Sequence, residues 1–214
     1  MRFALVGLPG AGKSTVGRLL AEATGGRLAE EDPSTFKYIE DAVTDPERYA
    51  VLGQAELMLD KARTELSPDL GILWQEDDTR YLHHVWTRAL VCDNRIDSRE
   101  AGLLTDLASL LDATCPQPAG IVSLELGYAV LEQRVIARGR TYEVAAGKLD
   151  EGFRRLLTIL HYEHRRYVTS ISGGDPPVWS VDASQAPAAI AREVIACTRA
   201  RYVGPRSSPG NAAR

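Results

Sequence analysis

The stretch Gly7-Leu8-Pro9-Gly10-Ala11-Gly12-Lys13-Ser14-Thr15 carries the plainest chemistry in the chain. Glycines at 7, 10 and 12 leave the loop's backbone N–H groups uncovered, so that they can converge on phosphate oxygens without a Cβ in the way. Lys13 adds a point charge suited to the β/γ oxygens of a triphosphate such as ATP. Ser14 offers a hydroxyl to Mg²⁺, and the helix that follows turns its positive end toward the same anion. Two runs of acids, Glu30-Glu31-Asp32 before Pro33 and Glu76-Asp77-Asp78, supply carboxylates for a base, unless they merely solvate loops. Arg134, Arg138 and Arg140 are the third group. The first two lie at i and i+4 and so project from one helix face, and Gly139 lets Arg140 turn the same way; the arginines either clamp an anion or complement the helix dipole. A phosphate loop fixes a nucleotide and not a reaction, because proteins of many activities share it.

These groups need elements to hold them. Phe3-Ala4-Leu5-Val6 reads as a strand leading into the glycine loop, and Val16, Leu19, Leu20 and Ala23 as the apolar side of the helix after it, ending at Gly25-Gly26. Arg27 to Glu30, Gly71 to Trp74, Ile121 to Leu126 and Val178 to Val181 read as four further strands, with acids following the second and third. In an open parallel sheet those carboxyl ends face the ligand crevice. Asp45-Pro46-Glu47 starts a helix running to about Leu66. Its expected buried stripe is Val51, Ala55, Met58, Leu59, Ala62 and Leu66, which leaves Gln54 and Lys61, seven apart, on a second and outward face. Arg80 to Ala113 reads as two antiparallel helices broken near 94–97. Further helices are expected from Val130 to Arg138 (with Val130, Leu131 and Val135 inward), from Asp150 to Val168, and from Pro187 to Arg201, where Cys197 points inward. The alternation predicts an α/β fold, a sheet of about five parallel strands flanked by helices in three layers, formed as one domain over 1–203. Gly204 to Arg214 reads as a disordered tail.

Composition narrows the function classes. With 214 residues, 44% of them hydrophobic, the chain can bury one sizeable core. A net charge of −4 offers no polycation for nucleic acid. Cys92, Cys115 and Cys197 have neither metal nor disulfide spacing and read as reduced core thiols. No apolar run reaches a membrane span and no leader is apparent, so a soluble cytoplasmic protein is expected.

Several stretches together resemble the deoxyribonucleoside kinase family, P-loop kinases that phosphorylate the 5′-hydroxyl of deoxynucleosides. They are Gly7 to Thr15, Glu31-Asp32-Pro33, Ile39-Glu-Asp41, Asp45-Pro-Glu-Arg-Tyr-Ala50, Gln54 with a basic residue seven on, Trp74-Gln-Glu76, Arg134 through Arg138-Gly-Arg140 to Glu143, and Leu160-His-Tyr-Glu-His164. The resemblance implies ATP and Mg²⁺ as cofactors, a nucleoside as acceptor, and an arginine-rich lid. It implies Asp32 as the base, with the neighbouring Glu31 as alternative. Gln54 would contact the nucleobase, with Lys61 standing where an arginine is usual. Glu76 would join Ser14 at the metal, Arg134, Arg138 and Arg140 would close on the phosphoryl group, and Glu143 would meet the sugar 3′-hydroxyl. A homodimer through helices near Leu57 and Val85 is also implied. The family usually has arginine after the third-strand acid; here Asp77 stands there, and Arg80 is the nearest replacement. Two other readings compete. A kinase of nucleoside monophosphates or shikimate needs arginines for an anionic acceptor where this chain has acids, and a non-catalytic nucleotide-binding module would not turn over ATP.

Overall fold

The computed structural model describes residues 1–67 and 71–202, and the expected tail from Gly204 lies outside the described residues. Strand β1 (Arg2–Val6) is buried along its whole length at the centre of a five-stranded parallel sheet. The order is β2 (Arg27–Ala29), β3 (Leu73–Glu76), β1, β4 (Gly120–Glu125) and β7 (Val178–Asp182). Two short strands, β5 (Val144–Ala145) and β6 (Lys148–Leu149), form an antiparallel hairpin of their own. The register pairs Leu5 with Glu76 and Val6 with Ser123, so the glycine loop leaves the sheet level with the acids that end β3. Asp77 continues the ladder by donating its N–H to Leu5 O at 2.9 Å.

The first helix, α1 (Lys13–Thr24), starts from Gly12 at φ 95°, a left-handed conformation that a Cβ would strain. After the short α2 (Ile39–Thr44), Pro46 opens α3 (Pro46–Glu65). Its inward face differs from the expected one. Met58 and Ala62 are buried, but so are Gln54, Lys61 and Glu65, while Leu59 and Leu66 are turned to solvent. Part of its inward side is polar, with Gln54 at the crevice, Lys61 on Glu31 and Glu65 accepting from Thr79, so the apolar period misleads there. Next come α4 (Thr79–Tyr81), a π-helical turn (Leu82–Thr87), α5 (Arg88–Cys92) and α6 (Ser98–Thr114). The break between α5 and α6 falls where expected, and α6 opens with a capping box in which Asp97 and Glu100 bond each other's backbone N–H groups.

The remaining helices are α7 (Tyr128–Arg138), α8 (Glu151–Ile171) and α9 (Pro187–Tyr202). Leu131 and Val135 of α7 are buried, but Val130 is exposed, and so are Cys92 and Cys197; of the three thiols only Cys115 lies in the core. A buried histidine, His164 of α8, bonds the Tyr81 hydroxyl at 2.9 Å and Ser123 Oγ at 3.2 Å, and so ties α8 to α4 and β4. Among the described residues no helix is long and apolar enough to cross a membrane.

Candidate active site

A cavity of about 550 Å³ opens at the carboxyl ends of β1 and β3, large enough for a nucleoside with part of a phosphate chain. Gly10, Ala11, Gly12, Lys13, Ser14 and Thr15 line one end. Lys13 Nζ donates to Gly7 O at 2.5 Å and lies 3.3 Å from Asp77 Oδ2, while the Gly7 N–H donates to Asp77 Oδ1 at 3.3 Å. Burial pushes the Asp77 carboxyl up to about 6 against the pull of Lys13. The residue also takes a left-handed φ of 51°, rare for a side chain other than glycine. The contact between Asp77 and the loop lysine was not legible in the sequence, where Asp77 stood only as a departure from the resembled pattern.

The two acid runs meet beside this loop. Glu31 lines the cavity and its Oε2 lies 3.0 Å from Lys61 Nζ, with its backbone N–H donated to Glu76 Oε2 at 3.3 Å. Burial would raise the Glu31 carboxyl, but Lys61 and then Lys13 override it and hold the group below the ordinary range. Asp32 turns the other way. Its exposed carboxylate accepts from Ser34 N at 3.0 Å and Ser34 Oγ at 2.7 Å, capping the short turn Pro33–Thr35. Of the two acids considered for the base, Glu31 lines the cavity and Asp32 does not. Glu76 is buried with Oε1 unpartnered, a carboxylate oxygen that a cation beside Ser14 would satisfy.

The arginines surround the loop from the other side. Arg134 donates to Ala183 O at 3.0 Å and to Gly10 O at 3.5 Å, which lays its guanidinium across the phosphate end. Arg138 Nη2 reaches both oxygens of Glu143, at 2.6 and 2.7 Å, and Arg140 lies 3.6 Å from the same carboxylate. Glu143 is thus buried among arginines in this state.

At the far end Gln54 is 3% exposed, with Nε2 donating to Leu82 O at 2.9 Å and to Thr87 Oγ1 at 3.3 Å. A carbonyl partner fixes which end of the amide is nitrogen, so Oε1 is the atom left for a ligand. Leu57, Leu82, Trp86 and Phe153 complete an apolar wall. Trp86 and Phe153 were missed from sequence because nothing in their spacing separates a pocket aromatic from a core one. Lys61 does not reach this wall, since its ammonium lies on Glu31. Arg80 is not in the cavity either: Nε pairs with Asp112 Oδ1 at 3.1 Å on α6, so it does not stand in for the arginine missing after Glu76.

Residues 3–195 match the sequence pattern of the deoxynucleoside kinase family. The chain belongs to that family. Membership makes it a phosphotransferase with an alcohol group of a deoxynucleoside as acceptor. No curated protein sequence matches the kinase. Among solved structures it is similar to a deoxyadenosine kinase from M. mycoides in several states. The form with the products dCMP and a flexible dCDP bound gives a TM-score of 0.80 at 16% identity, covering 94% of this chain and 99% of that one. The form with bound dATP gives 0.80 at 16% identity, covering 93% and 100%, and the form with dCTP 0.79 at 17%, covering 94% and 100%. At such identities the likeness is one of fold. For the kinase, Arg80→Ala is expected to leave kcat and both KM values within about twofold, well inside the tenfold that 1.4 kcal/mol represents. A tenfold fall in kcat would put Arg80 back in the site.

Proposed function

We propose that the chain transfers the γ-phosphoryl group of ATP to the 5′-hydroxyl of a deoxynucleoside, with Glu31 as the base. The observation that carries this is one cavity holding a phosphate loop with Lys13 and Arg134 at one end, Glu31 in the middle, and the Gln54 amide in an apolar wall at the other. That order matches a triphosphate, a reacting hydroxyl and a base laid end to end. Phosphoryl transfer asks a protein mainly for positioning and positive charge, and the lid formed by Arg134, Arg138 and Arg140 supplies the charge. Glu143 holds Arg138 and Arg140 until substrate draws them onto the phosphoryl group, and its carboxylate is then released toward the sugar 3′-hydroxyl. Ser14 and Glu76 would hold Mg²⁺, and the unpartnered Glu76 Oε1 fits that ion. When bound, Mg²⁺ neutralises charge on the phosphate oxygens. A cytoplasmic setting, where ATP and reduced thiols coexist, suits such an enzyme and its unpaired cysteines.

ATP-dependent phosphorylation across a panel of deoxynucleosides, ribonucleosides, nucleoside monophosphates and shikimate tests the reading. Product from the deoxynucleosides alone is expected. Turnover confined to anionic acceptors would overturn it, and so would ATP binding with no turnover.

Because both Gln54 amide hydrogens are committed to the protein, Oε1 accepts from an N–H on the base edge. Gln54→Ala is therefore expected to raise KM for the nucleoside at least about tenfold while leaving KM for ATP within about twofold. Steady-state kinetics with each substrate varied in turn reads the split, and equal changes in both constants would remove the nucleobase role.

We also propose a homodimer, through a different set of residues from the one expected. Leu57 and Val85 are buried within the protomer, while α3 exposes Leu52, Leu59 and Leu66 and the adjoining α6 exposes Leu103 and Leu110. Such a ridge is an interface in the making. Sedimentation is expected to show twice the protomer mass for the wild type and the protomer mass for Leu59→Asp.

A further inference from the structure

Lys61 is 2% exposed, on a helix whose outward positions were open to a charged side chain. Burying an ammonium is costly unless a partner compensates it, and its one contact within salt-bridge distance among the described residues is Glu31 Oε2, at 3.0 Å. The other oxygen of Glu31 has no partner among the described residues, and the side chain is 21% exposed along the cavity. Around the pair lie two further carboxylates, Glu76 and Asp77, against which the loop provides only Lys13. Arg80, the other cation nearby in sequence, is on Asp112.

We propose that Lys61 is the positioning residue of the phosphoryl-transfer site: it pins Glu31 Oε2 so that Oε1 faces the acceptor hydroxyl. The inference rests on Glu31 being the base. In the step it serves, the acceptor O–H bond breaks and its proton passes to Glu31 Oε1. The hydroxyl oxygen bonds the γ-phosphorus as the bond from that phosphorus to the β,γ-bridging oxygen breaks, and the electron pair leaves on ADP. Lys61 keeps its proton throughout and touches no reacting atom. A glutamate free at both oxygens would spread over several rotamers, and fixing one oxygen removes that freedom before substrate arrives.

The test is kinetic, on the wild type, Lys61→Met, Glu31→Gln and the double variant. Lys61→Met is expected to lower kcat by about 10- to 100-fold, the scale of a misplaced catalytic group, with KM for ATP within about twofold. In the Glu31→Gln background the same change is expected to cost less than about twofold, because no carboxylate remains to be positioned. A purely structural lysine would cost the same in both backgrounds, and that result overturns the proposal, as does full kcat in Lys61→Met. Wild-type turnover in Glu31→Gln would instead overturn the reading of Glu31 as base. Should Lys61→Met not fold, the double variant, which lacks both charges of the pair, still decides against Glu31→Gln alone: equal kcat supports the proposal, and a further tenfold loss ends it.

Discussion

Lys13→Ala is expected to lower kcat by about a thousandfold, because the loop loses the charge that balances the β/γ oxygens as the phosphoryl group departs. The substitution also acts on the unliganded protein. Asp77 lies 3.3 Å from the ammonium and is almost wholly buried, so removing the lysine leaves a carboxylate without its cation. Breaking such a pair costs about 3 kcal/mol, and thermal unfolding at neutral pH should show it. Lys13→Ala/Asp77→Asn separates the two effects: its melting temperature is expected to return toward the wild-type value while turnover stays lost. Unchanged turnover in Lys13→Ala would end the assignment of the loop to a triphosphate.

Glu31→Gln is the second large effect. The amide keeps the size of the side chain and loses the proton acceptor, so kcat is expected to fall by about 10²- to 10⁴-fold, with KM for ATP little changed. Asp32→Asn is the comparison, since that carboxylate caps the turn at Pro33–Thr35 and stands outside the cavity. Its kcat is expected to stay within about threefold of wild type, against at least a hundredfold for general-base loss. The opposite order would restore Asp32 as the base.

Local chemistry made the loop legible: three glycines, a lysine and a serine between a strand and a helix have few other uses. The helix start at Pro46 was readable for the same reason, since caps and prolines act within a few residues. What escaped was set by distance along the chain. Lys61 and Glu31 are thirty positions apart, and only the closeness of α3 to the end of β2 brings them together. Arg80 and Asp112 are thirty-two apart, so a short offset from Glu76 gave Arg80 a place that the packing of α6 denies it. Leu59 and Leu66 show the converse: an apolar period assumes a wholly apolar interior, and the inward side of α3 is polar at Gln54, Lys61 and Glu65.

The π-helical turn at Leu82–Thr87 has a bearing on how this pocket could change over generations. A π turn holds one residue more than the α-turn it replaces, and here it lies between the carbonyl and the hydroxyl that anchor Gln54. Deleting one residue within it would close the wide turn into ordinary helix while the helix on either side keeps its facing, because the wide turn is what absorbs the extra residue. The segment between Leu82 and Thr87 would shorten by one residue, so the carbonyl and the hydroxyl that hold Gln54 would no longer both meet its amide. A single three-nucleotide deletion therefore remodels the acceptor end of the cavity at a stroke, whereas substitutions must do it one side chain at a time. The phosphate end, built on β1 and α1, would inherit none of that change.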